Sequence, residues 1–359
     1  MKRVTERTIS LAETPSPTND ESRAAELVQH WWRDDGLSEI STDEFGNVWA
    51  SSGGNTAPVI GVAAHIDTVF PLDVPLTTRV EGRRLIGPSV GDNSVSVAAL
   101  SSLAWLVHEI EPACALALIA TTGEEGLGNL RGVTGALKPP SRQLDALIAV
   151  EGNYLDRIGN VAVGSLRFRV AISGPGGHAW EDSQSLNAVH LAAQIVSAIS
   201  LIPTQPGVRS VNVGIISGGE AVNARAQRAQ FVIDLRAVEP GELLALERLC
   251  RAAIDEAADD RAEIDVQEIG RRPGGRLSED HLLARCAVDA AARFARPAAF
   301  MASSTDANAA HAMDVAALAL GITTGRGEHT SEEWIDLDLI GVGLCILATT
   351  IVDYWREAQ

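Results

Sequence analysis

His65 and Asp67 in AAHIDTV, Asp92 in GPSVGDNS, Glu124 and Glu125 in TTGEEGLG and Glu151 in AVEGN stand at or just beyond apolar, strand-like runs. In open α/β sheets the carboxyl ends of strands are where ligands bind, and charges placed there are costly unless paired or bound to metal. Asp67 follows His65 by two residues, so in an extended segment both side chains point the same way and the carboxylate can orient the imidazole. Asp92 follows a glycine, which allows close backbone approach; its structural alternative is a plain N-cap for the helix that follows. Glu124 and Glu125 are adjacent acids between Gly123 and Gly126, readable either as a solvated turn or as one metal ligand beside one proton acceptor. His329 lies in a polar loop, GRGEHTSEEW, where a surface histidine is the simpler reading. Taken singly, each residue has a structural explanation as good as the functional one. As a set, His65, Asp92, Glu125, Glu151 and His329 supply mixed nitrogen and oxygen ligands suited to zinc, cobalt or manganese.

These residues need a scaffold that presents strand ends together. After the turn-rich TPSPTND, the stretch Glu21 to Trp32 has helical periodicity, with Asn19 or Asp20 placed to cap it. VIGVAAHID, ALALIATTGEE and ALIAVEG read as buried strands, and SVAALSSLAWLVHEI as a helix between two of them. This alternation predicts an α/β fold, with helices on both faces of a sheet. From about Gly164 the texture changes: SLRFRVAIS, SVNVGIISGG and AQFVIDLRAV read as strands, while NAVHLAAQIVSAISLI and GELLALERLCRAAIDEAADD read as helices. Helical α/β texture returns near Arg276. The expected division is a discontinuous domain of residues 1–165 and 276–359 with an α+β unit, 166–275, inserted in it.

Composition narrows the function classes. With 46% apolar and 21% charged residues, the chain has the balance of a folded globular protein. A net charge of -18 without a dense Lys/Arg run excludes nucleic acid and anionic membranes as expected partners. No stretch approaches the ~20 uninterrupted apolar residues of a membrane span, and the N-terminus lacks an apolar core of the signal type, so a cytoplasmic location is expected. The four cysteines lie far apart without a CxxC pair, which suggests buried thiols rather than a zinc knuckle or disulfide framework.

The ordered series HIDTV, VGDNS, TGEEGLGNLRG, VEG, GPGGHAW, STDAN and EHTSEEW resembles the two-metal peptidase and amidohydrolase family of peptidase T, glutamate carboxypeptidase, aminoacylase and succinyl-diaminopimelate desuccinylase. The resemblance runs almost from end to end. It implies a three-layer α/β/α catalytic domain with a mixed sheet, and an inserted lid and dimerisation domain. It implies two divalent ions, zinc foremost, bridged by Asp92, with Glu125 and His329 completing one site and His65 and Glu151 the other. Glu124 is then the general base, Asp67 orients His65, and His178 stabilises the developing oxyanion from the smaller domain. Asn223 and Arg236 match substrate-contacting positions, Arg272 is a further carboxylate-binding candidate, and Asp306 and Asn308 are expected at the pocket wall. For Arg236 an ion pair with Asp234 is the structural alternative.

The chain departs from the family pattern at Asn93 and Ser94 after the bridging aspartate, and at Arg326 and Glu328 before His329. Glutamate at position 151 points to the carboxypeptidase and deacylase branch, whereas the texture of TGEEGLGNLRG is closest to the peptidase T-like branch. The expectation is hydrolysis of an amide or peptide bond in an N-acyl amino acid, dipeptide or related small substrate. A di- or tripeptide aminopeptidase and a non-catalytic metal-binding scaffold are the alternatives, and a homodimer through the inserted domain is expected.

Overall fold

The apolar runs fold as neighbouring parallel strands, as a sheet covered on both faces requires. In the computed structural model, which describes residues 2–54, 57–138 and 143–359, the strand Val59–His65 lies between Ala115–Thr121 and Ala146–Glu151 and is parallel to both. Ala316–Gly321 continues the sheet, parallel to Ala146–Glu151. On the other side Val48–Ser52 and Ser38–Thr42 add antiparallel strands. Arg157–Ala162 pairs antiparallel with Ala316–Gly321 and parallel with Ala299–Ser303, so the sheet is mixed.

The two-residue period of the strands sorts their side chains onto two faces. Ile60, Val62 and Ala64, with Leu116, Leu118, Ile148 and Val150, pack against helices Lys2–Ala12, Ser22–Asp34, Val95–Ile110, Leu282–Arg293 and Ile340–Glu357. Ala63, Ala117, Ile119, Leu147 and Ala149 pack on the opposite side against the shorter helices Arg131–Ala136 and Ala307–His311. The result is an α/β/α sandwich with parallel strand ends side by side at one edge.

The chain divides into two compact units, one comprising the chain up to Ala162 together with Arg276–Gln359, the other Val163–Gly275. The second holds an antiparallel sheet in the order Arg209–Gly218, Arg228–Ala237, Gly164–Ser173, Glu263–Arg272. Helices Ala188–Ser200 and Pro240–Ala257 bury Ile195, Ile199, Leu246 and Ile254 in a core shared with Phe168 and Phe231.

Several local expectations are corrected. The first helix is Lys2–Ala12, which buries Val4, Leu11 and Ala12 together with Arg7. The second begins at Ser22, and the residue at its cap is Glu21, without a side-chain cap bond; neither Asn19 nor Asp20 serves. The helix Val95–Ile110 follows a tight turn at Val90–Ser94 and is not capped by Asp92, because Ser94 occupies that position. The segment Val90–Ile110 does have the length and apolarity of a membrane span, but 78% of its apolar window is buried inside the protein, as in a core helix.

Candidate metal centre

The register of the parallel strands aligns their carboxyl ends. His65 is opposite Thr121, so the turn after Thr121, carrying Glu124 and Glu125, starts beside the histidine. Glu151 closes the neighbouring strand on the other side. Asp92 arrives from the tight turn before the helix Val95–Ile110, and His329 from the loop before the strand Trp334–Asp336. His329 has a positive φ of 64°, a left-handed backbone that histidine tolerates better than bulkier residues.

Asp92 faces a histidine with each oxygen: Oδ1 lies 3.0 Å from His65 Nε2 and Oδ2 lies 3.2 Å from His329 Nε2. His329 Nε2 is also 3.1 Å from Glu125 Oε1, and His65 Nε2 is 4.0 Å from Glu151 Oε2. Ligands held ~2.0–2.2 Å from a tetrahedral ion lie roughly 3.3–3.6 Å apart, so these spacings suit shared ions. Donor atoms of His65, Asp92 and Glu125 all fall within 4.8 Å of one another. Two imidazoles and three carboxylates are also the donor chemistry that zinc, cobalt and manganese accept. The residues therefore fit a pair of divalent cations.

Charge accounts for why such a cluster wants cations. Burial opposes charge on His65, yet hydrogen bonding to Asp67 and Asp92 and the nearby carboxylates raise its pKa well above the usual histidine value. Hydrogen bonds to Asp92 and Glu125 push His329 up to about 10, with burial opposing. Burial likewise opposes ionisation of Asp92, but the two histidines hold it well below the usual carboxylate range. Glu151 is pushed up by burial and by the charges of Asp92, Glu124 and Asp306, with His65 offsetting part of the effect. The carboxylates around the two imidazoles thus favour positive charge at this place.

Asp67 faces His65 with two groups and reaches the next loop as well. Its backbone carbonyl lies 3.0 Å from His65 Nδ1 and its carboxylate Oδ1 3.6 Å, within ion-pair range. The carboxylate also accepts the backbone N–H groups of Glu124 and Glu125, each at 2.9 Å, and the Thr18 hydroxyl at 2.8 Å. Burial opposes its ionisation, but the imidazole and these donors keep its pKa below the usual value.

The other expected residues fall in several places. Asp306 is buried and accepts the Thr121 hydroxyl at 2.5 Å, at the end of the strand leading to Glu124. Asn308 is fully buried and accepts the Thr305 N–H at 2.9 Å, which gives it a turn-stabilising contact. In the second unit, His178 is exposed and pairs with Ala224, next to Asn223. Its Nδ1 accepts the N–H groups of Trp180 and Glu181 at 3.3 Å, and the next helix begins at Ala188. Arg236 makes the structural ion pair with Asp234, 2.9 Å, while its side chain stays 45% exposed. Arg272 is 5% exposed.

Two residues around the site escape sequence reasoning. Glu21 accepts the Gly123 N–H at 3.1 Å and both of its oxygens lie 2.6 Å from Arg131 Nη2, tying the start of the helix Ser22–Asp34 to the Glu124 loop. Glu333 is wholly buried and accepts the N–H groups of Gly91 and Asp92 at 2.9 and 2.8 Å. Burial and the charge of Asp92 push it up to about 8, against the pull of those two amides. In the sequence nothing separates Glu333 from its exposed neighbour Glu332.

Known proteins share both fold and sequence pattern. A protein of Aeropyrum pernix that bears the name LysW-lysine/LysW-ornithine hydrolase is 28% identical over 236 residues, 65% of this chain and 63% of its own. The succinyl-diaminopimelate desuccinylase of Pseudomonas syringae pv. syringae is 26% identical over 178 residues, covering 45% and 47% respectively. The chain thus spans less than two thirds of the length of these curated relatives. A tripeptidase structure from Staphylococcus aureus superposes with a TM-score of 0.82 at 18% identity, covering 99% of this chain and 98% of that one. An M20 family metallo-carboxypeptidase from Sulfolobus solfataricus gives 0.78 at 14%, covering 99% and 100%. The model of Peptidase family M20/M25/M40 matches residues 61–353, a stretch that holds every donor of the cluster, and the chain belongs to that family.

Proposed function

We propose that this protein is a metal-dependent hydrolase of a C–N amide or peptide bond in a small substrate such as an N-acyl amino acid or dipeptide. The observation that carries the reading is the placement of one carboxylate, Asp92, between two histidines on opposite oxygens. His65 and Glu151 then serve one cation and Glu125 and His329 the other, with zinc first and cobalt or manganese as substitutes. Bound divalent ions supply the acidity that brings a water pKa toward ~7 and polarise a carbonyl. Glu124 takes the proton from the attacking water and passes it to the leaving nitrogen, a role suited to a buried carboxyl beside the cluster. Asp67 fixes the amides of Glu124 and Glu125. His178 is the donor to the oxyanion, and Asn223 and Arg236 contact the substrate; for Arg236 this requires release from Asp234. Asp306 and Asn308 shape the wall behind Thr121, and Arg272 is a second, weaker candidate for a substrate carboxylate.

The inserted unit acts as lid and dimerisation domain in this reading. Its edge strand Arg209–Gly218 exposes Ile215 and Ile216, and an edge with apolar side chains is a ready surface for a second copy. A cytoplasmic location accords with four free thiols, none in a disulfide.

The test separates cation binding from chemistry. Glu124→Gln is expected to keep both ions by elemental analysis while kcat falls about 10²–10⁴-fold, whereas Asp92→Ala loses the ions. Undiminished turnover in metal-replete Glu124→Gln protein removes Glu124 from its role. A screen of N-acyl amino acids, dipeptides, tripeptides and aryl amides then distinguishes a deacylase or carboxypeptidase from an aminopeptidase, and inactivity on all of them favours a scaffold.

A further inference from the structure

We infer that Glu333 is a positioning residue that clamps the Asp92 loop to the His329 loop and so fixes the geometry of the cation site; the inference rests on the proposed reading of Asp92. Glu333 has no exposed surface, and among the described residues no Lys or Arg pairs with it. A buried carboxylate without a cationic partner is costly, and its place in a fold is explained only by what it holds. Here Oε1 collects three donors: the N–H groups of Gly91 and Asp92 at 2.9 and 2.8 Å, and Asn153 Nδ2 at 3.3 Å. Its main-chain carbonyl accepts the Gly87 N–H at 2.8 Å. One residue therefore grips both ends of the Gly87–Asp92 segment.

The same residue closes the turn that carries His329. Thr330 N–H and hydroxyl both bond to the Gly327 carbonyl, and Glu333 N–H reaches the Thr330 carbonyl at 3.3 Å. Two loops far apart in sequence thus meet at a single residue, whose side-chain bonds to Gly91 and Asp92 span 242 and 241 positions and whose N–H holds the His329 turn. The approach also explains why residue 91 is glycine: a Cβ there would lie 2.6 Å from Glu333 Oε1 and 2.5 Å from Asn153 Nδ2. With the Asp92 amide pinned, its carboxylate is left to present one oxygen to each histidine. Glu333 touches neither histidine in this arrangement, so it acts through Asp92.

A rival account is that Glu333 acts by its negative charge near the cations, and side-chain length separates the two. Glu333→Gln keeps an acceptor oxygen at the same reach, whereas Glu333→Asp keeps the charge but withdraws the oxygens by one methylene. The experiment is a zinc titration of the metal-stripped full chain by competition with a chromophoric chelator, with circular dichroism and thermal melts of the zinc-free variants in parallel. Glu333→Ala and Glu333→Asp are expected to bind zinc about 10–100-fold more weakly, the usual cost of losing a group that orients a ligand, and Glu333→Gln to stay close to wild type. If Glu333→Ala does not fold, the Gln and Asp variants decide. Wild-type zinc affinity in a folded Ala or Asp variant, or loss in Gln with retention in Asp, overturns the positioning role. Asp92→Ala serves as the control: if it binds zinc like wild type, the proposed reading of the site fails as well, whereas if it loses zinc while Ala and Asp at 333 do not, only this inference fails.

Discussion

Asp67 shows how one part of a residue's task can be legible while the rest is not. Its spacing from His65 pointed to an imidazole partner, and its carboxylate, 3.6 Å from Nδ1, also accepts two amides of the next loop, which no spacing announces. Removing the carboxylate should therefore disturb the Glu124 and Glu125 peptides as well as the histidine. Asp67→Ala is expected to lower kcat about 10–100-fold with little change in the far-ultraviolet spectrum, checked by steady-state kinetics on the metal-loaded protein. His65, Glu125 and Glu151 stood out because acids and histidines rarely end apolar strands without reason, whereas Asp92 and His329 joined them through the resemblance of the ordered motifs. Glu21 and Glu333 were invisible for the opposite reason: each sits in a polar stretch, and burial there is created by residues a hundred or more positions away.

Elements carry the strain of bringing those residues together. The helix Ile340–Glu357 lies so close to the sheet that a Cβ at Gly343 would come 1.9 Å from the Ile322 carbonyl oxygen. Gly343→Ala should therefore cost about 1–3 kcal/mol by overpacking, read as a lowered denaturation midpoint with unchanged m. At the other end of the chain, Arg7 joins the helix Lys2–Ala12 to Asp35 at 2.5 Å, with side chains only 10% and 6% exposed. Burial opposes ionisation of Asp35, but hydrogen bonds from Arg7 and Ser101 keep its pKa below the usual value. A depressed folded pKa contributes stability above the unfolded value of about 3.9, and that stability is lost as pH falls through the folded value. Asp35→Ala is expected to destabilise by about 3 kcal/mol, since it leaves the buried Arg7 unpaired. The deficit against wild type should shrink as pH drops below about 4, followed by urea titration across pH 2–7. This helix was missed in the sequence because its apolar positions are few and a buried arginine occupies its inner face.

At the level of the whole molecule, folding and cation binding should be linked. The cage gathers carboxylates whose mutual repulsion is relieved by positive charge, so ions that bind only the folded state stabilise it, by about 2.7 kcal/mol at a hundredfold excess over Kd. Exhaustive chelation is expected to abolish hydrolysis and lower Tm, and added zinc, cobalt or manganese to restore both. Full activity in verified metal-free protein would falsify the hydrolase reading. The sequence by itself determined the α/β character and offered a set of acids and histidines as candidate donors, because strand and helix periodicities and the chemistry of side chains are local properties. Only the tertiary structure decided that Asp92 turns one oxygen to each histidine, that Asp67 serves the Glu124 loop, and that Glu333 is buried beneath the Asp92 loop. Those facts depend on strand register and on contacts between loops some 240 positions apart, where a methylene more or less moves a donor out of hydrogen-bonding range and no local pattern records the result.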